Sequence, residues 1–528
     1  MTKNYHIQIS QDIKSAKTIE LFSLLEQLWP IKFLFGEQNA IEVNGAIIKE
    51  SGFNSYVPVT SSYSLLLTGN FVNKSRKVET QVEFSDDPNV PFPFRGRRIN
   101  TKMIEVEMPL ILSNNDKILA SNEQGPIWSI SEIDGIKCFR SALALPYISI
   151  DQNFNDVFNG ECFLEMLVLL HFMSVISINT EYQHAPLRAS FIIDDPNLHW
   201  PRYGFVDYCE IAANAKKKNY HVSFATIPLD TWFTHTATAD LFRTNSRWIS
   251  LLIHGNNHAK EELAQNYSAA MRKGLLQQAI QRIKRMEQKS NISVCRVMVP
   301  PHGACSDEML EELSNSEFES ACISAGSLRA HNKDKLWTKI LGFFPAEIIH
   351  GFPVLPRWGL TGNIKNSLLL AAYLGQPMIL RGHHQDLKDG GEIFDEYAKY
   401  INGLGNVFWS NMTDLSKLNY LWRSEGTICY IKPFGRKIVF QLPNETTEVV
   451  LESFDSVKAD RWKMVTTDGR VYEIIPGKPF FLTTLMSREI RLVWAELSQP
   501  LSLKTVNTPT KSILRRLLTE ARDRLLWH

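Results

Sequence analysis

The chain has 528 residues, 44% of them hydrophobic and 21% charged, with 57 Lys and Arg against 56 Asp and Glu. That length calls for about two to four domains, and the composition belongs to a folded protein able to build sizeable cores. A net charge of +1 gives no electrostatic reason to expect nucleic acid or another polyanion as partner.

Up to about residue 155 the chain reads as short strands, SYSLLLTGNFV, KVETQVEFSDD and KMIEVEMPLIL, separated by Asn, Gly, Pro and Ser. The opening MTKNYHIQIS alternates like a strand and lacks the charged start and long apolar core of a secretory signal. The longest apolar run, FLEMLVLLHFMSVIS from Phe163 to Ser177, is too short to span a bilayer and carries Glu165 and His171. It reads as a buried helix closing a β-rich α+β domain over 1–180. Seven cysteines, at 138, 162, 209, 295, 305, 322 and 429, form no CxxC pair, and several lie in apolar segments. Reduced, packed thiols in a cytoplasmic protein are the expectation, in preference to disulfides or a thiolate zinc site.

From 181 to 420 the texture becomes strand, loop, helix. ASFIIDD precedes FVDYCEIAANAKKK, YHVSFATIPL and WISLLIHGNNH follow, and a long helical stretch runs from Ala264 to about Gln288. SVCRVMVPPHG leads to SDEMLEELS and FESACISA, NSLLLAAYLG to PMILRGHHQD, and EIFDEYAKYIN to NVFWS. Short apolar strands alternating with helices imply parallel strands, in about seven units forming an open sheet or a closed barrel. Over 421–498 the segments TICYIKPF, KIVFQLP, TEVVLESF, VYEIIPG and EIRLVWAEL suggest a small β-sandwich.

The tail, 499–528, has Pro509 before a helix with Ile513, Leu514, Leu517, Leu518 and Leu525 on one face and Arg515, Arg516, Arg522 and Arg524 on much of the other. A helix docked on its own protein, or a dimer contact, is the plainer reading. Contact with a membrane surface is the lesser one. Oligomeric state is left open.

Four polar clusters each follow an apolar strand of the middle region: Asp194-Asp195, His254-Gly-Asn-Asn-His258, Pro300-Pro301-His302-Gly303 and Gly382-His383-His384-Gln385-Asp386. In parallel α/β folds the C-terminal strand ends share one face, so these side chains converge. Two imidazoles four residues apart can aim at one cation, and one carboxylate completes a site with open positions. One aspartate then ligates while its neighbour, held off the cation, takes a proton from water. Singly, each cluster has a plainer account: Asp-Asp-Pro as a helix start or turn, His-x-x-x-His as surface or packing, His383-His384 as core hydrogen bonding, PPHG as a turn. Their conjunction at successive strand ends favours one site.

That ordered set, over roughly 185–415, resembles the polysaccharide deacetylase superfamily (carbohydrate esterase family four and relatives), in a divergent branch. Phe191-Ile192-Ile193-Asp194-Asp195 stands where the family has Thr-Phe-Asp-Asp-Gly, and His254 and His258 match its His-Ser/Thr-x-x-His. Val299-Pro300-Pro301-His302-Gly303 partly matches Arg-x-Pro-x-Gly, and Leu380-Arg381-Gly382-His383-His384 loosely matches a Leu-x-His strand end. The resemblance implies an α/β fold whose central domain is a distorted (β/α) barrel of about seven strands, here flanked by the β-rich N-terminal domain and the small C-terminal β-sandwich.

The same resemblance implies metal-assisted removal of an N-acetyl group from a sugar or glycan. Asp194 is then general base, and Asp195, His254 and His258 are ligands of one divalent metal, zinc first, cobalt or nickel next. One of His383 and His384 is the acid, with His383 preferred. Pro301, His302, Arg357 and Trp358 are assigned to substrate, and Trp200, Trp358 and Trp409 offer flat faces for sugar rings, although aromatic residues at strand ends are more often core. The sequence departs from the family at Pro196 for glycine, Gly255 for the hydroxyl residue and Val299 for the arginine that orients the catalytic aspartate. Arg357 in LPRWGL, or Arg381 beside the histidines, can supply that cation from another strand end. Arg296, three residues from Val299, points to the opposite face. The rival expectations are a catalytically silent glycan- or metal-binding protein and a hydrolase of a different acyl or C–N bond.

Overall fold

The computed structural model describes residues 5–36, 43–49, 61–68, 76–106, 108–149, 151–158, 163–177, 182–452, 462–482, 488–494, 508 and 510–525. Cys162, Pro509, the side chain of Arg524 and the ends of several expected strands lie outside them. The chain forms two compact units, one of Met1–Tyr182, Thr338–Phe343 and Lys365–Tyr373, the other of Gln183–Trp337, Phe344–Ile364 and Leu374–His528.

The first unit holds a nine-stranded sheet in the order Ile31–Phe35, Tyr5–Ile9, Gly45–Lys49, Tyr63–Leu67, Ile136–Ser141, Gly125–Ile133, Lys117–Asn122, Lys77–Phe84, Arg98–Ile104. Its first five strands are parallel and the rest antiparallel. The apolar run forms helix Leu164–Ile176, buried nearly all round as its composition demands. Burial disfavours charge on its two ionisable side chains, Glu165 and His171. Burial pushes the Glu165 carboxyl up to about 7, against the hydrogen bond it accepts from the Ile104 N–H. Burial pulls His171 down to about 4, its ring edge-on to Trp128.

The second unit is built on a ten-stranded sheet. Its strands are β1 Arg188–Asp194, β2 Val222–Thr226, β3 Ile249–His254, β4 Val294–Val299, β5 Ser320–Cys322, β6 Glu347–Ile349, β7 Phe352–Leu355, β8 Trp358–Gly359, β9 Met378–His383 and β10 Phe408–Trp409. The order is β6-β7-β5-β4-β3-β2-β1-β9-β8, with β10 also pairing β1, and all pairs are parallel except β6 with β7. Among the described residues the edge strands β6 and β8 do not pair with each other. This corrects the expectation of a seven-stranded barrel: the sheet is curled but unclosed. The antiparallel β6–β7 hairpin ends one edge, and the two-residue β8 ends the other.

Every residue of β1 is buried, as in a parallel strand covered on both faces. Phe191 points to the helix-covered side, where it meets Tyr220, Phe394 and Trp409. Alternation turns Ser190, Ile192 and Asp194 to the other face, where the hydroxyls of Ser190, Ser223 and Ser250 run across β1, β2 and β3 at 3.4 and 3.0 Å. Trp409 is 1% exposed and belongs to the core, so it offers no face to a sugar.

Residues 420–494 form two further sheets, one of five strands that includes Gln183–His184 and one of four, around a shared core with Tyr420, Cys429, Ile431, Phe440, Leu451 and Met464. This β-rich region and the ten-stranded sheet belong to one compact unit. The six described cysteines are free thiols. No helix among the described residues is long and apolar enough to cross a membrane.

The tail forms helix Thr510–Leu525, docked on its own protein through its polar side. Ser512, Arg516 and Asp523 are buried, while Ile513, Leu514, Leu517, Leu518 and Leu525 are exposed. The reason lies in its acceptor surface. Asp230, His199, Tyr203 and His384 offer ionic and hydrogen-bonding partners rather than an apolar groove.

Candidate metal centre

The loops after β1, β3, β4 and β9 bring the sequence clusters to one end of the sheet. Asp195, His254 and His258 offer three ligand atoms that all lie within 4.8 Å of one another. Asp195 Oδ1 is 3.2 Å from Nε2 of His254 and 3.0 Å from Nε2 of His258. Neither imidazole is aligned to donate to it, so this buried oxygen is left without a hydrogen-bond donor. His254 Nδ1–H donates to the Val299 carbonyl at 2.9 Å, and in that neutral tautomer Nε2 presents its lone pair toward Asp195. A buried, unsatisfied carboxylate oxygen beside an imidazole lone pair fits a divalent cation.

Without a cation the three groups are electrostatically coupled to one another. Burial alone would raise the Asp195 carboxyl, but His254 and His258 outweigh it and hold the group well below the usual carboxylate range. Burial likewise opposes charge on His254, and the carboxylates of Asp194 and Asp195 pull it upward overall.

The backbone is bent to make this arrangement. Of the eight described non-glycine residues with positive φ, three face this centre: Asp195 at 81°, His258 at 54° and His302 at 57°. Such conformations persist only where the surroundings over-determine them. For the HGNNH loop the restraint is Glu262, which sequence reading missed. It is 1% exposed, and its Oε1 accepts the backbone N–H groups of Asn256, Asn257 and His258 at 2.6, 3.0 and 3.0 Å. Gly255 has φ 59°, and a Cβ there would lie 2.4 Å from Glu262 Oε1 and 2.6 Å from Pro301. The glycine in place of the family hydroxyl residue therefore has a steric cause. Arg282 adds hydrogen bonds to the side-chain oxygens of Asn256 and Asn257 at 2.7 and 2.8 Å.

Asp194 stands apart from the ligand trio. Arg357 approaches its Oδ2 through Nη1 at 3.4 Å, with both side chains 4% exposed. Its Oδ1 is buried and without a hydrogen-bond partner. Arg357 comes from the segment between β7 and β8. Arg357, which the sequence assigned to substrate, is occupied by the aspartate.

The other expected residues divide. Pro301 is buried under Gly255, while His302 is exposed, its ring 5.3 Å from that of His258. Trp358 is half-buried in β8 and pairs with Leu380. His383 is half-buried and in register with Asp194 across β1 and β9, so the two side chains share a face of the sheet. His384 is 2% exposed, with Nε2 3.6 Å from Asp523 Oδ2. Its Nδ1 packs against Gly204, where a Cβ would approach to 2.3 Å. Asp523 also accepts the Tyr203 hydroxyl proton at 3.0 Å, an interaction with the tail that no motif signalled.

The crystal structure of Agd3, a carbohydrate deacetylase, superposes with a TM-score of 0.51 over 92% of this chain and 99% of that one, at 10% identity. The fold is shared with a carbohydrate deacetylase. Peptidoglycan deacetylase PdaC from Bacillus subtilis matches 44% of this chain and 91% of its own at 12% identity, with a TM-score of 0.27. The family 4 carbohydrate esterase from Streptomyces lividans matches 43% and 93% at 10% identity, with a TM-score of 0.25. At such scores these two add nothing to the fold assignment. No family model and no curated protein matches the sequence.

Proposed function

We propose that the protein is a metal-dependent hydrolase that removes an N-acetyl group from a sugar or glycan. The observation that carries this reading is the meeting of Asp195, His254 and His258 beside a second carboxylate, Asp194, anchored by Arg357. A divalent cation held by the trio, zinc first and cobalt or nickel next, would supply Lewis-acid polarisation of the acetyl carbonyl and acidify water.

The rest falls to the chain's own side chains. Arg357 fixes one oxygen of Asp194, and the free Oδ1 takes the proton of the attacking water. Water oxygen bonds to the acetyl carbon, the C–N bond breaks, and His383 gives a proton to the departing amine. Acetate and a free amino sugar result. His383 is preferred to His384 because it shares the face of Asp194, whereas the ring nitrogens of His384 face Asp523 and Gly204. The cytoplasm remains the favoured compartment, in keeping with the free thiols.

The test is metal analysis of purified protein after reconstitution, with acetate release measured on N-acetylated sugars, for wild type, Asp195→Ala, His258→Ala and Asp194→Asn. Stoichiometric metal in wild type, its loss in the first two variants, and retained metal with lost turnover in Asp194→Asn are expected. No bound metal in wild type overturns the reading. Metal without acetate, but with another acyl or amine product by mass, reassigns the bond cleaved.

A further inference from the structure

Helix Thr510–Leu525 is held to the protein by polar side chains, and its apolar side faces out. Leu514, Leu517, Leu518, Ala521 and Leu525 recur three and four residues apart, so they line one face. Leu514 is 59% exposed, Leu517 50%, Leu518 63% and Leu525 74%, with Ile513 beside them at 42%. A surface helix ordinarily turns such a stripe to the core. Here five large aliphatic side chains forgo burial together, and contiguous apolar surface of this kind marks contact with a protein or a membrane.

Charge decides between the two. The helix has two acidic residues, Glu520 and Asp523, and both turn inward, to His199 and His384. Its outer cations have no such arrangement. Lys511 and Arg515 are exposed, and Arg522, which bridges to Asp523 at 2.6 Å, keeps its side chain 62% exposed. Arg515 stands three residues before Leu518 and Arg522 four after it, so they flank the leucine row. Two copies meeting leucine face to leucine face would set these cations against their counterparts, with no carboxylate of the helix on that face to pair them. An anionic bilayer surface suits both features, with acyl chains for the leucines and phosphates for the cations. The rim beside the seat adds Trp200 and Trp232, both exposed, the Trp232 ring 5.0 Å from that of His199. Indoles sit well at the headgroup level of a membrane.

We propose that helix Thr510–Leu525 is an interfacial anchor that lies flat on an anionic lipid bilayer. Leu514, Leu517, Leu518 and Leu525 enter the boundary between headgroups and acyl chains, and Lys511, Arg515 and Arg522 meet lipid phosphates. The helix need not leave its seat to do this, because the contacts of Arg516 with Asp230 and of Asp523 with Tyr203 lie on its opposite side. The docked protein is thereby held at the membrane surface. The anchor does not depend on the reaction proposed above.

The test sediments the full chain with vesicles of phosphatidylcholine alone and of phosphatidylcholine mixed with phosphatidylglycerol, at low and high salt. Wild type, Arg515→Gln and the paired change Leu517→Glu with Leu518→Glu are compared. Wild type should pellet with the mixed vesicles, and less with phosphatidylcholine alone or at high salt. The paired change should weaken binding about 100-fold, and Arg515→Gln about fivefold. Resistance of 510–525 to proteolysis should match wild type in both variants, which shows the helix still seated. Failure of wild type to pellet with the mixed vesicles, or equal pelleting of wild type and the paired variant, overturns the anchor. A wild-type dimer that the paired change dissolves, without vesicle binding, also overturns it in favour of a second copy.

Discussion

Arg357 and Asp194 are 163 residues apart, yet their side chains meet at 3.4 Å in a setting where each is 4% exposed. A buried carboxylate with one oxygen on a guanidinium and the other without a hydrogen-bond partner is fixed in orientation.

Arg357→Met should therefore spare the metal trio and impair the step that uses Asp194. Metal stoichiometry should stay at wild-type level while kcat falls about 100-fold, the scale expected when a reacting group is misplaced by about an ångström. Arg357→Lys keeps the charge without the planar fork and should recover only part of the loss. Unchanged kcat in Arg357→Met would sink the idea.

Glu262 touches no candidate ligand atom, but it gathers three consecutive N–H groups of the loop bearing His258. Glu262→Gln puts an amide N–H where acceptor capacity is needed. Metal affinity measured by chelator competition should drop about 10- to 100-fold, as for other groups that orient ligands from behind. Equal affinity in variant and wild type would reduce Glu262 to ordinary loop packing.

His383 and His384 can be separated by their pH profiles. With His383 as the acid, His383→Asn should remove the alkaline limb of the kcat profile and lower kcat about 100-fold or more. His384→Asn should keep that limb and act through the tail, detected as faster proteolysis within 510–525. The opposite pattern would transfer the acid role to His384.

The tail itself should respond to pH. Burial opposes charge on His199, but hydrogen bonds to Glu520 and the Asp230 carbonyl, with both carboxylate charges, raise its pKa above the ordinary 6.5. The folded value lies above the unfolded one, so the stabilisation is fully present below about 6.5 and is lost as pH rises through the raised folded pKa. Hydrogen exchange of helix Thr510–Leu525 should accelerate on that alkaline side, and His199→Gln should flatten the response. Arg516 and Asp230, both buried, supply a second ionic contact that holds the helix independently of His199.

Much of the middle region was legible because its strands announce themselves as apolar runs and each ends in a polar cluster. The order Asp194-Asp195, His254 and His258, then His383-His384 needed only parallel strands to converge. Strand pairing beyond that was not legible, because nothing in two-residue segments such as Trp358-Gly359 marks an edge. Glu262 escaped notice because it accepts from main-chain groups, which carry no sequence signature. Asp523 escaped because Tyr203 and His384, the partners that seat it on the rest of the chain, are more than a hundred residues away. Trp409 and Trp200 looked alike in sequence and separated only once packing had placed one inside and the other on the rim.

Helix Thr510–Leu525 is seated by directional contacts, with Arg516 on Asp230, Glu520 by His199 and Asp523 by His384. A greasy stripe would tolerate sliding and rolling, since one leucine replaces another in a groove at small cost. Here a roll of one residue would set leucine against carboxylate, so the tail has a single seat, like a key with three teeth. Changing any tooth should alter whether the helix is home, not where it sits.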